Sequence, residues 1–155
     1  MEKIYFTEKG INLFLEKIKR DEAVISEMSS RLGHLAEVGG DQYHDNFSYE
    51  QQTMELRMLS SKINGDYKLL ENALIIKDSD IRDKESVFIG ATVKIEFNQD
   101  IQSWKVLGYG ESDSKNHNVA YNTPLGLALM GKKINDIFDY NINSRKVKIK
   151  ILSID

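Results

Sequence analysis

Apolar residues in the first half of the chain follow a helical repeat. Ile11, Ile18, Ile25 and Leu32 recur every seven residues, and Phe14, Met28 and Leu35 fill the companion positions three later, with Asp21 as the polar break. A repeat of this period puts one stripe of a helix against a partner helix. Thr7 stands where an N-cap belongs, and Glu8 places a carboxylate in the first turn. Val38-Gly39-Gly40 supplies the stop signal. The pattern predicts a helix from about Glu8 to Val38, roughly 45 Å long at ~1.5 Å per residue.

The pattern resumes after Asn46. Leu56, Ile63 and Leu70 form one row; Leu59, Tyr67 and Leu74 form the other. Folding the chain back at the glycines pairs Leu32 with Leu56, Ile25 with Ile63, Ile18 with Leu70 and Phe14 with Leu74. The residue numbers in every pair add to the same total, as an antiparallel register requires. The same register sets Asp21 opposite Tyr67, within reach of a phenol–carboxylate hydrogen bond. Gly65 falls inside the second helix, where glycine costs ~1 kcal/mol relative to alanine. No third amphipathic helix of comparable length remains to complete a bundle, so residues 1–77 are expected to form a two-helix hairpin.

After Lys77 the period changes. Residues 78–85, with Asp78, Asp80, Arg82, Asp83, Lys84 and Glu85, read as a polar linker. Strands are expected over Val87 to Phe97, Ser103 to Tyr109, His117 to Tyr121, Ile137 to Ile142 and Lys146 to Ile154. Alternation is clearest in the last: Val147, Ile149 and Ile151 on one face, Lys146, Lys148 and Lys150 on the other, the wet side of an edge strand. Between the third and fourth strands, Thr123 as N-cap, Pro124 at the first helical position and Gly131 past the end define one short helix. The fold class is α+β: an N-terminal antiparallel coiled-coil hairpin, then a small antiparallel β domain with one short helix over residues 86–155.

Composition narrows the picture without changing it. Hydrophobic residues are 41% and charged residues 29% of 155, ordinary for a soluble protein. There is no cysteine, so no disulfide or thiolate metal site exists. No apolar run approaches the ~20 residues that span a bilayer, and the N-terminus does not read as a signal peptide. A soluble, cytoplasmic chain with no membrane partner is expected. The net charge of −3 argues against a broad basic surface for naked nucleic acid. The excess lies in residues 1–77, where 10 basic residues face 13 acidic ones, against 11 and 11 in residues 78–155. No lysine or arginine falls between Arg31 and Arg57, whereas Glu37, Asp41, Asp45 and Glu50 do.

Candidate chemistry concentrates in the hairpin turn, which has no interior of its own. Carboxylates there can act only when delivered into another molecule's site. Asp41 and Asp45 are hard oxygen ligands suited to magnesium, and a magnesium ion held between them and an outside site could orient water for phosphodiester hydrolysis. Turn and helix-cap chemistry explains Asp41, Asp45 and Asn46 more simply on spacing alone. His44 reads as a turn histidine or as a general acid. Tyr43 and Phe47 either staple the turn or pack into a partner. Lys17, Lys19 and Arg20 form a basic cluster on the first helix, a solvated face or a contact to an RNA backbone.

These residues resemble a known family. The Gly40-Asp41 tip followed by Asp45-Asn46, the entry Ile89-Gly90-Ala91-Thr92-Val93, the run Thr123-Pro124-Leu125-Gly126 through Leu129-Met130-Gly131-Lys132, and Thr7 with Gly10 are similar to the bacterial Gre transcript-cleavage factors. The resemblance implies a C-terminal domain of FKBP-like fold that grips RNA polymerase through Thr123, Pro124, Leu125 and Leu127. It implies a coiled coil that enters the polymerase secondary channel as a monomeric accessory factor, not an enzyme. No cofactor is implied for the chain alone. In the polymerase complex, Asp41 and Asp45 would share a Mg2+ ion, supported by Gly40, Tyr43, His44 and Asn46, and the polymerase would cut its own backtracked nascent RNA.

Two departures from the family pattern stand out. Gln42, Tyr43 and His44 separate the two tip acids where the family has two residues, and the second acid is aspartate in place of glutamate. A longer tip resembles the anti-cleavage members, which occupy the channel and inhibit. Leu127 stands where the family carries a basic residue. A chaperone or prolyl isomerase built on the FKBP-like domain is the remaining alternative; its pocket needs an aromatic cluster, and the aromatic residues here are needed for the core.

Overall fold

The computed structural model describes residues 3–39, 47–77, 85–97, 99–142 and 145–155. They form two compact units, residues 12–72 and residues 3–11 with 73–155. The first is a helix pair: α1 (Glu8–Gly39), counted here from residue 12, and α2 (Phe47–Glu71). The expected stripe on α1 is present, with Phe14, Ile18 and Leu32 buried and Asp21, Ile25 and Met28 half-buried. On α2, Ile63 is buried and Leu56, Leu59 and Leu70 are half-buried.

The second row of α2 differs from the expected one. Seven residues beyond Leu59 lies Asp66, and it is Asp66 that sits in the seam at 8% exposure, whereas Tyr67 is 44% exposed. A step of eight turns a side chain away from a stripe that repeats every seven. Tyr67 accordingly donates its hydrogen bond to Glu22 Oε1 at 2.6 Å and not to Asp21. That bond holds the phenol above its ordinary pKa. Asp21 is met instead by Lys62 Nζ at 3.0 Å, and Asp66 by Lys17 Nζ at 2.7 Å. The Lys17 ammonium also lies 5.0 Å from the centre of the Phe14 ring. Moving four residues up α1, from Lys17 to Asp21, moves four down α2, from Asp66 to Lys62, so the helices are antiparallel. Each seam carboxylate is matched by a lysine of the opposite helix.

α2 also ends at Glu71, before the Leu74 that the expected helical row included. The Asn72 N–H donates to Leu69 O at 3.2 Å, and Ala73–Ile76 is a strand, β2. It runs parallel to β1 (Ile4–Thr7), with Ile4 opposite Ala73 and Thr7 opposite Ile76. Leu74 is therefore in a strand and does not continue the helical row that was to meet Phe14. The continuous apolar run from Ala73 to Ile76 suits a paired strand, and its fit to the heptad was a coincidence of spacing.

The second unit holds β1, β2 and a five-stranded sheet in the order β5-β4-β3-β7-β6. Its strands are β3 (Thr92–Phe97), β4 (Asp100–Leu107), β5 (Asn118–Ala120), β6 (Ile137–Ile142) and β7 (Arg145–Ile154). The sheet is mixed, whereas an antiparallel one was expected: β5 pairs parallel to β4. A parallel neighbour needs a crossover, and residues 108–117, which contain a 3-10 turn at Ser114–Asn116, provide it. β7 lies between β3 and β6, so the Lys146, Lys148, Lys150 row belongs to an inner strand and not to an edge. Lys146 Nζ bonds Asp139 Oδ2 at 2.9 Å; that bond, with the added charge of Lys148, lowers the Asp139 pKa. On the other face, Val93, Ile95, Val106, Val119, Ile149 and Ile151 form the core with Leu129 of the short helix α3 (Pro124–Leu129). The expected α+β class holds.

One carboxylate closes this unit. Glu111 accepts from the Thr7 hydroxyl at 2.7 Å, from the Gly108 N–H at 2.9 Å and from the Thr7 N–H at 3.4 Å. Thr7 Oγ1 in turn accepts from the Gly10 N–H at 2.9 Å, the expected N-cap. The Tyr109 N–H donates to Tyr5 O at 2.8 Å, and Phe6 is fully buried. A Cβ on Gly108 would lie 2.7 Å from both Phe6 Cα and the Thr7 nitrogen, so only glycine fits there.

Three stability measurements check this fold. Lys17→Met leaves the buried Asp66 carboxylate unpaired and should cost about 2 kcal/mol, less than a fully buried pair because Lys17 is partly exposed; adding Asp66→Leu should recover most of the loss in urea denaturation. Glu111→Ala strands the Thr7 and Gly108 donors and should cost about 2 kcal/mol, while Glu111→Asp, too short to reach both, should recover little of it. Gly65→Ala should raise stability by about 0.5–1 kcal/mol, because a Cβ there meets nothing within 4 Å.

Candidate functional site

Residues Gly40, Asp41, Tyr43, His44, Asp45 and Asn46 lie outside the described residues, so the tip enters only through its flanks. Those flanks are regular: α1 reaches Gly39 and α2 begins at Phe47. The tip acids therefore connect two helices whose antiparallel register is held by the seam pairs. Among the described residues, no group of three or more His, Asp or Glu side chains is placed to hold a metal ion.

The basic cluster on α1 separates into two kinds of residue. Lys17 turns toward α2 and is bound to Asp66, whereas Lys19 and Arg20 are exposed. Helical rotation explains the split, since successive residues differ by about 100° around the axis. An outside anion would meet Lys19 and Arg20 first.

The candidate partner-binding residues surround α3. Thr123 has extended backbone, accepts from the Gly126 N–H at 3.2 Å and donates its hydroxyl to Ala120 O at 2.7 Å. Pro124 occupies the first turn, where no intrahelical donor is needed. Gly126 faces β5 so closely that an added Cβ would fall 2.1 Å from Ala120 O. That contact, with Leu129 at 0% exposure, decides which side of α3 faces the sheet. Leu125 is half-buried and packs against the core, and Leu127 is turned outward at 63% exposure. The structure thus divides the four residues: Thr123 and Leu125 build the helix and seat it, and Pro124 and Leu127 present a surface.

Sequence reasoning overlooked two features of the same unit. Glu111 carried no signal, because its partner Thr7 lies about a hundred residues away in the chain. Lys9, Lys77 and Lys105 come together around one cleft, and their separation in sequence hid that as well.

Residues 82–155 match the family model described as transcription elongation factor, GreA/GreB, C-term. The chain is 29% identical over 145 residues to transcription elongation factor GreA of Thermoanaerobacter pseudethanolicus, covering 91% of this chain and 86% of that one. The GreA of Caldanaerobacter subterraneus subsp. tengcongensis gives the same identity and coverage, 29% over 91% and 86%. Among solved structures, the GreA factor homolog 1 protein of Thermus thermophilus aligns over 99% of both chains with a TM-score of 0.46 and 19% identity. The match of residues 82–155 to the family's C-terminal model, joined to a GreA likeness that runs on through the helical hairpin, makes this chain similar to the Gre transcription elongation factors and supports that family for it.

Proposed function

We propose that this chain binds RNA polymerase, passes its hairpin tip into the secondary channel and stimulates the polymerase's own cleavage of backtracked nascent RNA. The observation that carries the reading is the pair of antiparallel helices locked by Lys17–Asp66 and Lys62–Asp21, with Asp41 and Asp45 in the segment that joins them. A register fixed by ion pairs is the mechanical requirement for delivering two carboxylates to a set position. In the polymerase active site, Asp41 and Asp45 would share a Mg2+ ion and orient the attacking water. Lys19 and Arg20 would meet the RNA backbone. Pro124 and Leu127, exposed on α3, would contact the polymerase surface, with Thr123 and Leu125 holding α3 in place. The chain supplies ligands and position; the polymerase performs the reaction.

The tip spacing favours a second reading, in which the same factor occupies the channel and inhibits. Three residues between the acids and a shorter second side chain would hold the Asp45 carboxylate away from the family's position, and a misplacement of ~1 Å can cost ~100-fold in rate.

A cleavage assay on stalled elongation complexes separates the two. Under the first reading, the wild-type chain accelerates cleavage, and Asp41→Asn and Asp45→Asn each abolish the acceleration with polymerase binding unchanged. Slowed nucleotide addition without cleavage would favour the inhibitor, and deletion of Tyr43 or His44 should then restore cleavage. Acceleration that survives loss of both aspartates would refute the carboxylate mechanism.

A further inference from the structure

Lysines commonly guard an exposed edge strand against pairing with another chain. The lysine row of β7 lies on an inner strand, between β3 and β6, so edge protection does not account for it. Lys146, Lys148 and Lys150 alternate with Val147, Ile149 and Ile151, of which the last two are buried, and so stand on the face of the sheet away from the core. Lys146 and Lys148 are exposed there, and Arg145 is exposed at the start of the strand.

Positive charge is concentrated on these two strands. β6 and β7 carry four cations, Arg145, Lys146, Lys148 and Lys150, and one carboxylate, Asp139. Asp139 is bonded by Lys146 and feels the charge of Lys148, so a single negative charge is shared between two lysines. The pair of strands keeps an excess of three positive charges in a chain whose net charge is −3. On the same face β3 adds Lys94 and Glu96, whose charges offset one another. β4 adds Ile101, Ser103 and Lys105, the last at the far end, across Thr92 from Asp155.

Shape narrows what this charge can meet. β3 pairs with β7 only from Ile149 onward, whereas β6 continues beside β7 to the Ile142–Arg145 pair. Among the described residues, 145–148 and their partners on β6 thus have no third strand in register with them. They form a two-stranded ribbon roughly 14 Å long at ~3.4 Å per residue. The major groove of B-DNA admits such a ribbon, and its depth of about 8.5 Å is less than the ribbon's length. The deep, narrow major groove of duplex RNA does not. No aromatic side chain stands on the lysine face to stack on an unpaired base, since Phe138 and Tyr140 pack toward the core. Lysine is depleted at protein–protein interfaces, whereas DNA-binding surfaces are rich in positive charge.

We propose that the β6–β7 ribbon binds duplex DNA without regard to sequence, lying in the major groove with Arg145, Lys146 and Lys148 against the phosphates. The surface uses none of the residues assigned to the tip or to α3. It therefore stands apart from the polymerase reading, and its test needs no polymerase.

Fluorescence anisotropy of a labelled DNA duplex, titrated with the full chain, tests it. Binding should be saturable, and three neutralised phosphates give a fall in affinity of about 40-fold between about 50 and 200 mM salt. Arg145→Ala and Lys148→Ala should each weaken binding and flatten the salt dependence by one phosphate, with the thermal midpoint unchanged. Arg145→Glu combined with Lys148→Glu should abolish binding, whereas Lys19→Ala combined with Arg20→Ala should leave it intact. Absence of saturable binding would overturn the proposal, as would full affinity in the charge-reversed chain. Loss of binding in the Lys19, Arg20 variant would place the DNA on the hairpin and overturn it too. Duplex RNA binding as tightly as DNA would refute the groove fit. Poly-glutamate competing as well as unlabelled DNA would assign the face to an acidic protein instead.

Discussion

The sheet unit depends on one carboxylate. Glu111 lies in the crossover between β4 and β5 and holds both its neighbour Gly108 and, from near the other end of the described chain, Thr7. It fixes the turn at Gly108 and the Thr7 hydroxyl that begins α1, so the end of one strand and the start of a helix share a single acceptor. Space enforces the arrangement as strongly as charge does. Gly10 and Gly108 approach so closely that a methyl group on either would collide with the Glu111 side chain, and at Gly108 also with backbone. The acid, the threonine and the two glycines form one unit of structure, and none can be exchanged without disturbing the others.

The helix pair solves a different problem. A seam of Phe14, Ile18, Leu32 and Ile63 would hold two helices together but specify their register weakly, since apolar stripes slide. Asp21 and Asp66 set the register. Each carboxylate finds its lysine only at one alignment, and a slip of one turn would leave a half-buried charge without a partner. The contribution of these pairs lies less in net stability than in the penalty they impose on every other alignment. The proposed delivery of the tip acids would need that kind of specificity.

Much of this was legible in the sequence. The α1 stripe, the short helix with Thr123 and Pro124, the core face of β7 and the span of β6 all follow from local rules of period and capping, and the structure contains them. The failures share a cause. Asp66 was overlooked because the reading looked for apolar residues, and Tyr67 beside it offered one. Leu74 was taken into the helix because β2 has no meaning without β1, and their pairing is non-local. The parallel placement of β5 and the role of Glu111 are likewise set by partners far away in the chain, which periodicity cannot register. The tip acids were found by composition and resemblance, and their geometry lies outside the described residues.

The order in which a ribosome releases the chain gives the parallel pairing of β1 and β2 a temporal meaning. β1 emerges first, yet its strand partner follows only after both helices have been made, and its acceptor Glu111 later still. Phe6, fully buried in the finished protein, must wait in the open through most of synthesis. The helices, whose contacts are closer in sequence, can associate in the meantime. A nascent chain of this protein is thus expected to present a formed hairpin while β1 still waits for its strand partner.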